Sequence, residues 1–241
     1  MKRTLLGMLT PSSNTILEPL TSAMVSGVPD VSAHFARFRV TEISLNGAAL
    51  GQFDEAPILE AAKLLADARV DVICWNGTSS GWLGFDADRT LCTLILGATG
   101  IPACTSVLAL NEILETTGAT EFGLVTPYLD DVQAKILENY SRSGFRCVGE
   151  RHLNRSVNFS FSEVGQDQVC GLVREVAAAK PKAISTFCTN MNAARLVPEL
   201  ERELGIPIYD TVSTAVWKSL KIAGVDPRAV TGWGRLFQEV G

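Results

Sequence analysis

The chain has 241 residues, 46% of them hydrophobic and 20% charged, a composition too apolar for disorder and sufficient for a folded core. Its formal net charge of −5 argues against nucleic acid or an acidic membrane surface as partner. Six cysteines, at 74, 92, 104, 147, 170 and 188, form no CxxC pair, and with only His34 and His152 beside them no zinc site is expected.

Short apolar runs alternate with longer amphipathic ones along the whole chain. Strands are expected at Leu5–Leu9, Val31–Val40, Val70–Trp75, Ile101–Cys104, Phe122–Thr126, Phe145–Glu150, Ala183–Phe187 and Ile206–Tyr209. Helices are expected at Asn14–Met24, Pro57–Ala68, Asp86–Leu96, Val107–Thr116, Asp130–Ser143, Gly165–Ala179, Ala193–Leu204 and Val212–Ala223. Ser13 or Asn14 is a suitable N-cap for the first helix. Strands alternating with helices of this length imply βαβ units and a mostly parallel sheet. The N-terminus lacks the apolar run and cleavage site of a signal peptide, and no segment approaches 18 apolar residues. A cytoplasmic protein with reduced thiols is expected.

A weak internal repeat divides the chain. Gly100-Ile101-Pro102 recurs as Gly205-Ile206-Pro207, Thr10-Pro11 as Thr126-Pro127, and Gly77-Thr78 as Cys188-Thr189. The three matches keep their order at similar offsets, which predicts two pseudo-symmetric Rossmann-like α/β halves facing a shared cleft. The expected division is residues 1–98 plus 212–241 for one half and 99–211 for the other. Ligands of open α/β sheets bind outside the carboxyl ends of the strands.

Those strand ends carry small hydroxyls and amides: Ser12, Ser13, Asn14 and Thr15; Asn76, Gly77, Thr78 and Ser79; Tyr128; and Cys188, Thr189 and Asn190. Convergent hydroxyls and backbone N–H groups suit a carboxylate or an oxyanion, although each such residue taken alone also suits a helix cap. Cys188 follows a buried strand. A helix N-terminus is expected there, which would lower the thiol pKa and fit an acid, base or nucleophile. The competing reading is a buried core cysteine. Cys74, Cys92, Cys104, Cys147 and Cys170 lie in apolar runs and read as packing. Asp86, Asp88, Asp130 and Asp131 read as helix-start charges, and the two histidines as structural. Trp75, Trp82 and Phe53 suit either a pocket wall or the core. No GxGxxG, P-loop or GxSxG is present.

The loops at 11–15, 77–79, 127–131 and 188–190, with Gly232-Trp233-Gly234-Arg235-Leu236-Phe237, resemble the aspartate/glutamate racemase superfamily. More narrowly they resemble its maleate cis-trans isomerase and arylmalonate decarboxylase branch. The resemblance implies two pseudo-symmetric halves, no metal and no organic cofactor. In the racemases and isomerases two cysteines face each other, one in a Cys-Thr-Ser motif and one in a Cys-Thr-Asn motif. Here the second is Cys188, and Gly77 stands where the first would be. Cys74 lies three residues earlier in a strand, so it points to the opposite face about 10 Å away at ~3.3 Å per residue.

Gly at the first position and Cys at the second is the arrangement of the decarboxylases. There the resemblance makes Cys188 the proton donor and gives Thr78, Ser79 and Tyr128 the enediolate. Asn14 and the Thr189-Asn190 pair instead follow the isomerases, where such asparagines help hold a carboxylate. The expected function is a cofactor-independent decarboxylase of a substituted malonate or related dicarboxylate. A maleate isomerase or racemase-type isomerase is the alternative, and a non-catalytic small-anion binder is a third reading. The expected partner is a small carboxylate or dicarboxylate, with no nucleic acid or membrane and with homo-oligomerisation left open.

Overall fold

The computed structural model describes residues 3–241. The first half runs β1 (Thr4–Pro11), α1 (Leu17–Val25), β2 (Val31–Phe38), a short α2 (Gly47–Leu50), α3 (Glu55–Asp67), β3 (Val72–Trp75), a short α4 (Ser80–Leu83), α5 (Phe85–Thr99) and β4 (Ala103–Thr105). After α6 (Ser106–Thr116) the second half runs β5 (Glu121–Thr126), α7 (Asp130–Arg142), β6 (Arg146–His152), α8 (Gln166–Ala177), β7 (Ala183–Thr186), α9 (Val197–Leu204) and β8 (Ile208–Asp210). The chain closes with α10 (Thr211–Ile222) and α11 (Leu236–Glu239). Each expected strand and helix is present, with ends shifted by a few residues.

The strands form two four-stranded sheets, ordered β2-β1-β3-β4 and β6-β5-β7-β8, and every pairing within them is parallel. The two orders are the same pattern, which is what an internal repeat requires. The central strands are covered on both faces. All four residues of β3 and all four of β7 are buried, which is why they read as unbroken apolar or small-residue runs. The repeated Gly-Ile-Pro has one conformation in both copies. Gly100 ends α5 and Gly205 ends α9 with φ of +70° each, a left-handed helix stop that the absent Cβ permits, and an edge strand follows.

The halves divide differently from expectation. β4 pairs in register with β3 through Ile73–Ala103, Cys74–Cys104 and Trp75–Thr105. Residues 103–105 therefore belong to the first sheet, beyond the 98/99 boundary, because the left-handed turn at Gly100 brings the chain straight back to the sheet edge. The helices after the two edge strands, α6 and α10, pack on each other, and α10 also packs on β3 and β4. Among the described residues no helix is long and apolar enough to cross a membrane.

Candidate active site

The carboxyl ends of β1, β3, β5 and β7 deliver four loops to one place. A cavity of about 20 Å³ lies between them, lined by Pro11, Val40, Ile43, Phe53, Trp75, Gly77, Thr78, Trp82, Tyr128, Asn158, Cys188 and Thr189. Such a volume holds about one water. Five of the expected site residues, Gly77, Thr78, Tyr128, Cys188 and Thr189, thus share its wall. Ser79 lines a neighbouring cavity of about 70 Å³. Asn14 and Asn190 line neither.

The asparagines clasp the halves together. Asn14 Oδ1 accepts from the N–H groups of Ile16 and Leu17 at 2.9 Å each, capping α1, which starts three residues later than expected. Asn14 Nδ2 donates to the Thr189 carbonyl at 3.1 Å. Asn190 Oδ1 accepts from Thr15 N at 3.0 Å, and its Nδ2 donates to the Asn158 carbonyl at 2.6 Å. Thr189 Oγ1 donates to the Asn76 carbonyl at 3.0 Å. These amides hold loop geometry, and their polar atoms already have protein partners.

Asn158 is the amide that does reach the cavity, and its Nδ2 donates to Ser13 Oγ at 2.7 Å. Its segment also carries the roof. Ile43 N donates to the Ser156 carbonyl at 2.8 Å, and Asn158 N to the Thr41 carbonyl at 2.9 Å. A single antiparallel bridge joins Glu42 to Val157. Sequence periodicity offered no signal for this contact, because residues 39–54 and 153–164 lie outside the strand and helix repeats and meet only across the two halves.

Thr78 Oγ1 and Tyr128 Oη share a hydrogen bond of 2.5 Å across the halves. Burial, then the nearby Cys188, push the Tyr128 phenol well above its ordinary pKa, so it remains an O–H donor. The Cys188 sulfur accepts from Asn190 N at 3.4 Å. The Tyr128 ring is fixed edge-on by Trp82 at 5.3 Å and by Phe161 at 5.6 Å.

The expectation of a lowered Cys188 pKa is overturned. No helix starts at Cys188; a 3₁₀ turn at Ala194–Leu196 and then α9 follow only later. The thiol is buried, and burial pushes its pKa up to about 12 despite the donors from Asn190, Tyr128 and Met191, with the charge of Asp210 adding to the rise. Cys188 is therefore a protonated thiol at neutral pH.

Opposite it, Gly77 leaves no room for a side chain. A Cβ built there lies 1.9 Å from Trp75 Cζ2 and 2.4 Å from its Cε2. The Trp75 indole is 1% exposed and rests against Phe38, centroid to centroid 5.0 Å. Cys74 is no substitute. It is fully buried beside Cys104 and well above its ordinary pKa for that reason, and it does not line the cavity.

Two expectations are refined elsewhere. Asp88 stands in the first turn of α5, as expected, and there it is a buried carboxyl that accepts from Ser80 Oγ at 2.8 Å. Burial raises it to about 6. The Gly232–Phe237 motif lies away from the cavity. It docks on α9 and the 3₁₀ turn before it: buried Glu201 of α9 accepts from Arg235 N at 2.8 Å, and Arg195 of the turn stacks on Trp233 at 5.2 Å. Among the described residues no cluster of His, Cys, Asp and Glu is arranged to hold a metal.

The family model described as arylmalonate decarboxylase matches residues 14–237. The chain belongs to the arylmalonate decarboxylase family. It is similar to an arylmalonate decarboxylase of Bordetella bronchiseptica, 26% identical over 76% of this chain and 77% of that protein. It is also similar to a maleate isomerase of Nocardia farcinica (strain IFM 10152), 28% identical over 97% of this chain and 95% of that one. In structure it matches a mutant of the Nocardia farcinica maleate cis-trans isomerase with a covalently bound succinylcysteine intermediate. The TM-score is 0.89 and the identity 24%, over 99% of both chains. The branch that the loops resemble is thereby established, and its relatives are enzymes of both kinds.

Proposed function

We propose that the protein is a cofactor-independent decarboxylase of a disubstituted malonate, with Cys188 as the single proton donor. The observation that carries this reading is the Trp75 indole seated where any side chain at position 77 would begin. A two-thiol mechanism needs a group on that face, and the chain has filled the space with a ring.

The retained carboxylate of the malonate meets the Thr78 and Tyr128 hydroxyls, while the leaving one faces Pro11, Val40, Ile43 and Phe53. None of the lining residues carries a formal charge at neutral pH, so the departing carboxylate finds little solvation in that apolar part of the wall. When the bond from its carbon to the α-carbon breaks, CO₂ leaves and the electron pair passes into the retained carboxylate as an enediolate. Hydroxyl donors aimed at that oxygen stabilise the developing charge. The α-carbon then takes the Sγ proton of Cys188, and the thiolate is reprotonated from water. A thiol with its pKa raised to about 12 keeps its proton until a carbanion takes it, which suits an acid better than a nucleophile. Because the closed cavity has space for about one water, substrate entry requires its walls to move apart.

The second reading is a maleate isomerase, favoured by the Asn14 and Cys188-Thr189-Asn190 pattern and by the full-length similarity to the Nocardia farcinica enzyme. A succinylcysteine intermediate requires a nucleophilic thiol, which the family resemblance places at position 77, where this chain has glycine. Incubation with disubstituted malonates, maleate and aspartate separates the two readings. CO₂ release that disappears in Cys188→Ala supports the decarboxylase. Fumarate formed from maleate with no CO₂ from any malonate overturns it.

A further inference from the structure

Trp82 stands on the short helix α4, whose first turn is closed by Trp82 N and Leu83 N donating to the Ser79 carbonyl at 3.1 and 2.9 Å. Its ring lines the cavity and is clamped edge-on between Phe53, at 5.7 Å, and Tyr128, at 5.3 Å. The side chain is 6% exposed, yet its Nε1 has no hydrogen-bond partner. The Thr78, Tyr128 and Thr189 hydroxyls and the Asn158 amide nitrogen of the cavity wall have partners, whereas the Trp82 N–H is buried without one. A buried N–H left unpaired is costly, and Trp is normally placed so that its N–H finds an acceptor.

We propose that Trp82 is a specificity-determining residue whose indole N–H takes a neutral acceptor oxygen on the α-substituent of the substrate. The inference rests on the decarboxylase reading for the placement of the two carboxylates, one at the Thr78–Tyr128 pair and one at the apolar wall. What remains for Trp82 is the substituent. With both carboxylates so assigned, the acceptor falls on the uncharged substituent, as an ether, hydroxyl or carbonyl oxygen. A site built to donate one hydrogen bond discriminates against the isostere that lacks the acceptor, because the donor is then left unpaired.

The test uses binding of the reaction's product type, which does not require turnover. 2-Methoxy-2-phenylacetate and 2-phenylbutyrate differ by an oxygen in place of a methylene. Calorimetric titration of the wild-type protein should show about a tenfold preference for the methoxy acid, the size of one net hydrogen bond. Trp82→Phe keeps the ring contacts and removes the N–H, and the preference should vanish. In ¹⁵N-labelled wild-type protein the Trp82 indole N–H resonance should move with the methoxy acid and not with phenylbutyrate, a readout independent of how the variant folds. Equal preference in the two proteins, an unmoved indole resonance, or binding of neither acid overturns the proposal. If the matching malonates release no CO₂ while the preference still vanishes in Trp82→Phe, the decarboxylase reading fails and the Trp82 assignment stands.

Discussion

Gly77→Ala is the smallest change that tests whether the Trp75 ring excludes a side chain at position 77. The backbone there is in an ordinary region, since Gly77 is not among the glycines with positive φ, so an alanine adds no conformational strain. The effect is steric alone. The new Cβ lies 1.9 Å from Cζ2 and 2.5 Å from Cη2, and the ring cannot retreat freely because it is buried against Phe38. Overpacking of this kind costs about 1–3 kcal/mol, and each kcal/mol lowers the melting temperature of a chain this size by about 2–4 °C. Trp75→Ala alone leaves a cavity worth roughly 3–5 kcal/mol. In the double variant the added methyl enters the vacated space. The pair should then be less destabilised than the sum of the singles, by about 1–3 kcal/mol in a double-mutant cycle read by urea unfolding. Additivity within about 0.5 kcal/mol would refute the steric argument. The same logic applies to Gly77→Cys. Alone it should disrupt the site, and only with Trp75 shortened should it present a second thiol to the cavity.

Other consequences are separately measurable. Cys188, with its pKa raised to about 12, should react with iodoacetamide far more slowly than a free thiol at pH 8, as read by mass spectrometry of the 188 peptide. Asp210 is fully buried, and burial raises it to about 7 although Thr186 Oγ1 and Val212 N donate to it at 2.7 and 2.9 Å. Its folded pKa lies above the unfolded value, so the folded state binds the extra proton. Stability should fall as pH rises from about 4 to 7. Asp210→Asn, which keeps the cap on α10, should remove that part of the slope. His152 is opposed by burial, but hydrogen bonds to Asp130 at 2.7 Å and Glu150 at 2.9 Å outweigh it and raise its pKa. This stabilisation is present below the unfolded pKa and is lost as pH rises through the folded one. Asp130→Asn should lower the His152 midpoint in an NMR titration.

The parts legible in the sequence were those set by local periodicity. β3 and β7 announce themselves as short buried runs, the Gly-Ile-Pro repeat marks two equivalent helix stops, and the strand-end hydroxyls mark where the loops converge. The candidate site residues Thr78, Tyr128 and Cys188, which share the cavity wall, follow from their places after strands together with the family resemblance. What the sequence did not display is decided between the halves. Asn14 and Asn190 look like ligand amides in a loop motif, yet each is committed to partners about 175 residues away. The Cys188 pKa depends on burial by both sheets, and the missing helix start reverses the expected direction. The three residues of edge strand β4 carry too little pattern to show which sheet they join. Trp75 is two residues from Gly77, near enough to notice, but only the fold turns its ring into the space beside it.

The most direct test of the single-thiol account is turnover of a prochiral malonate such as 2-methyl-2-phenylmalonate in D₂O. One acid on one face predicts one equivalent of CO₂ and a product with a single α-deuterium and one handedness, all lost in Cys188→Ala. Racemic deuterated product, or conversion of maleate to fumarate without any CO₂ from the malonate, would contradict it.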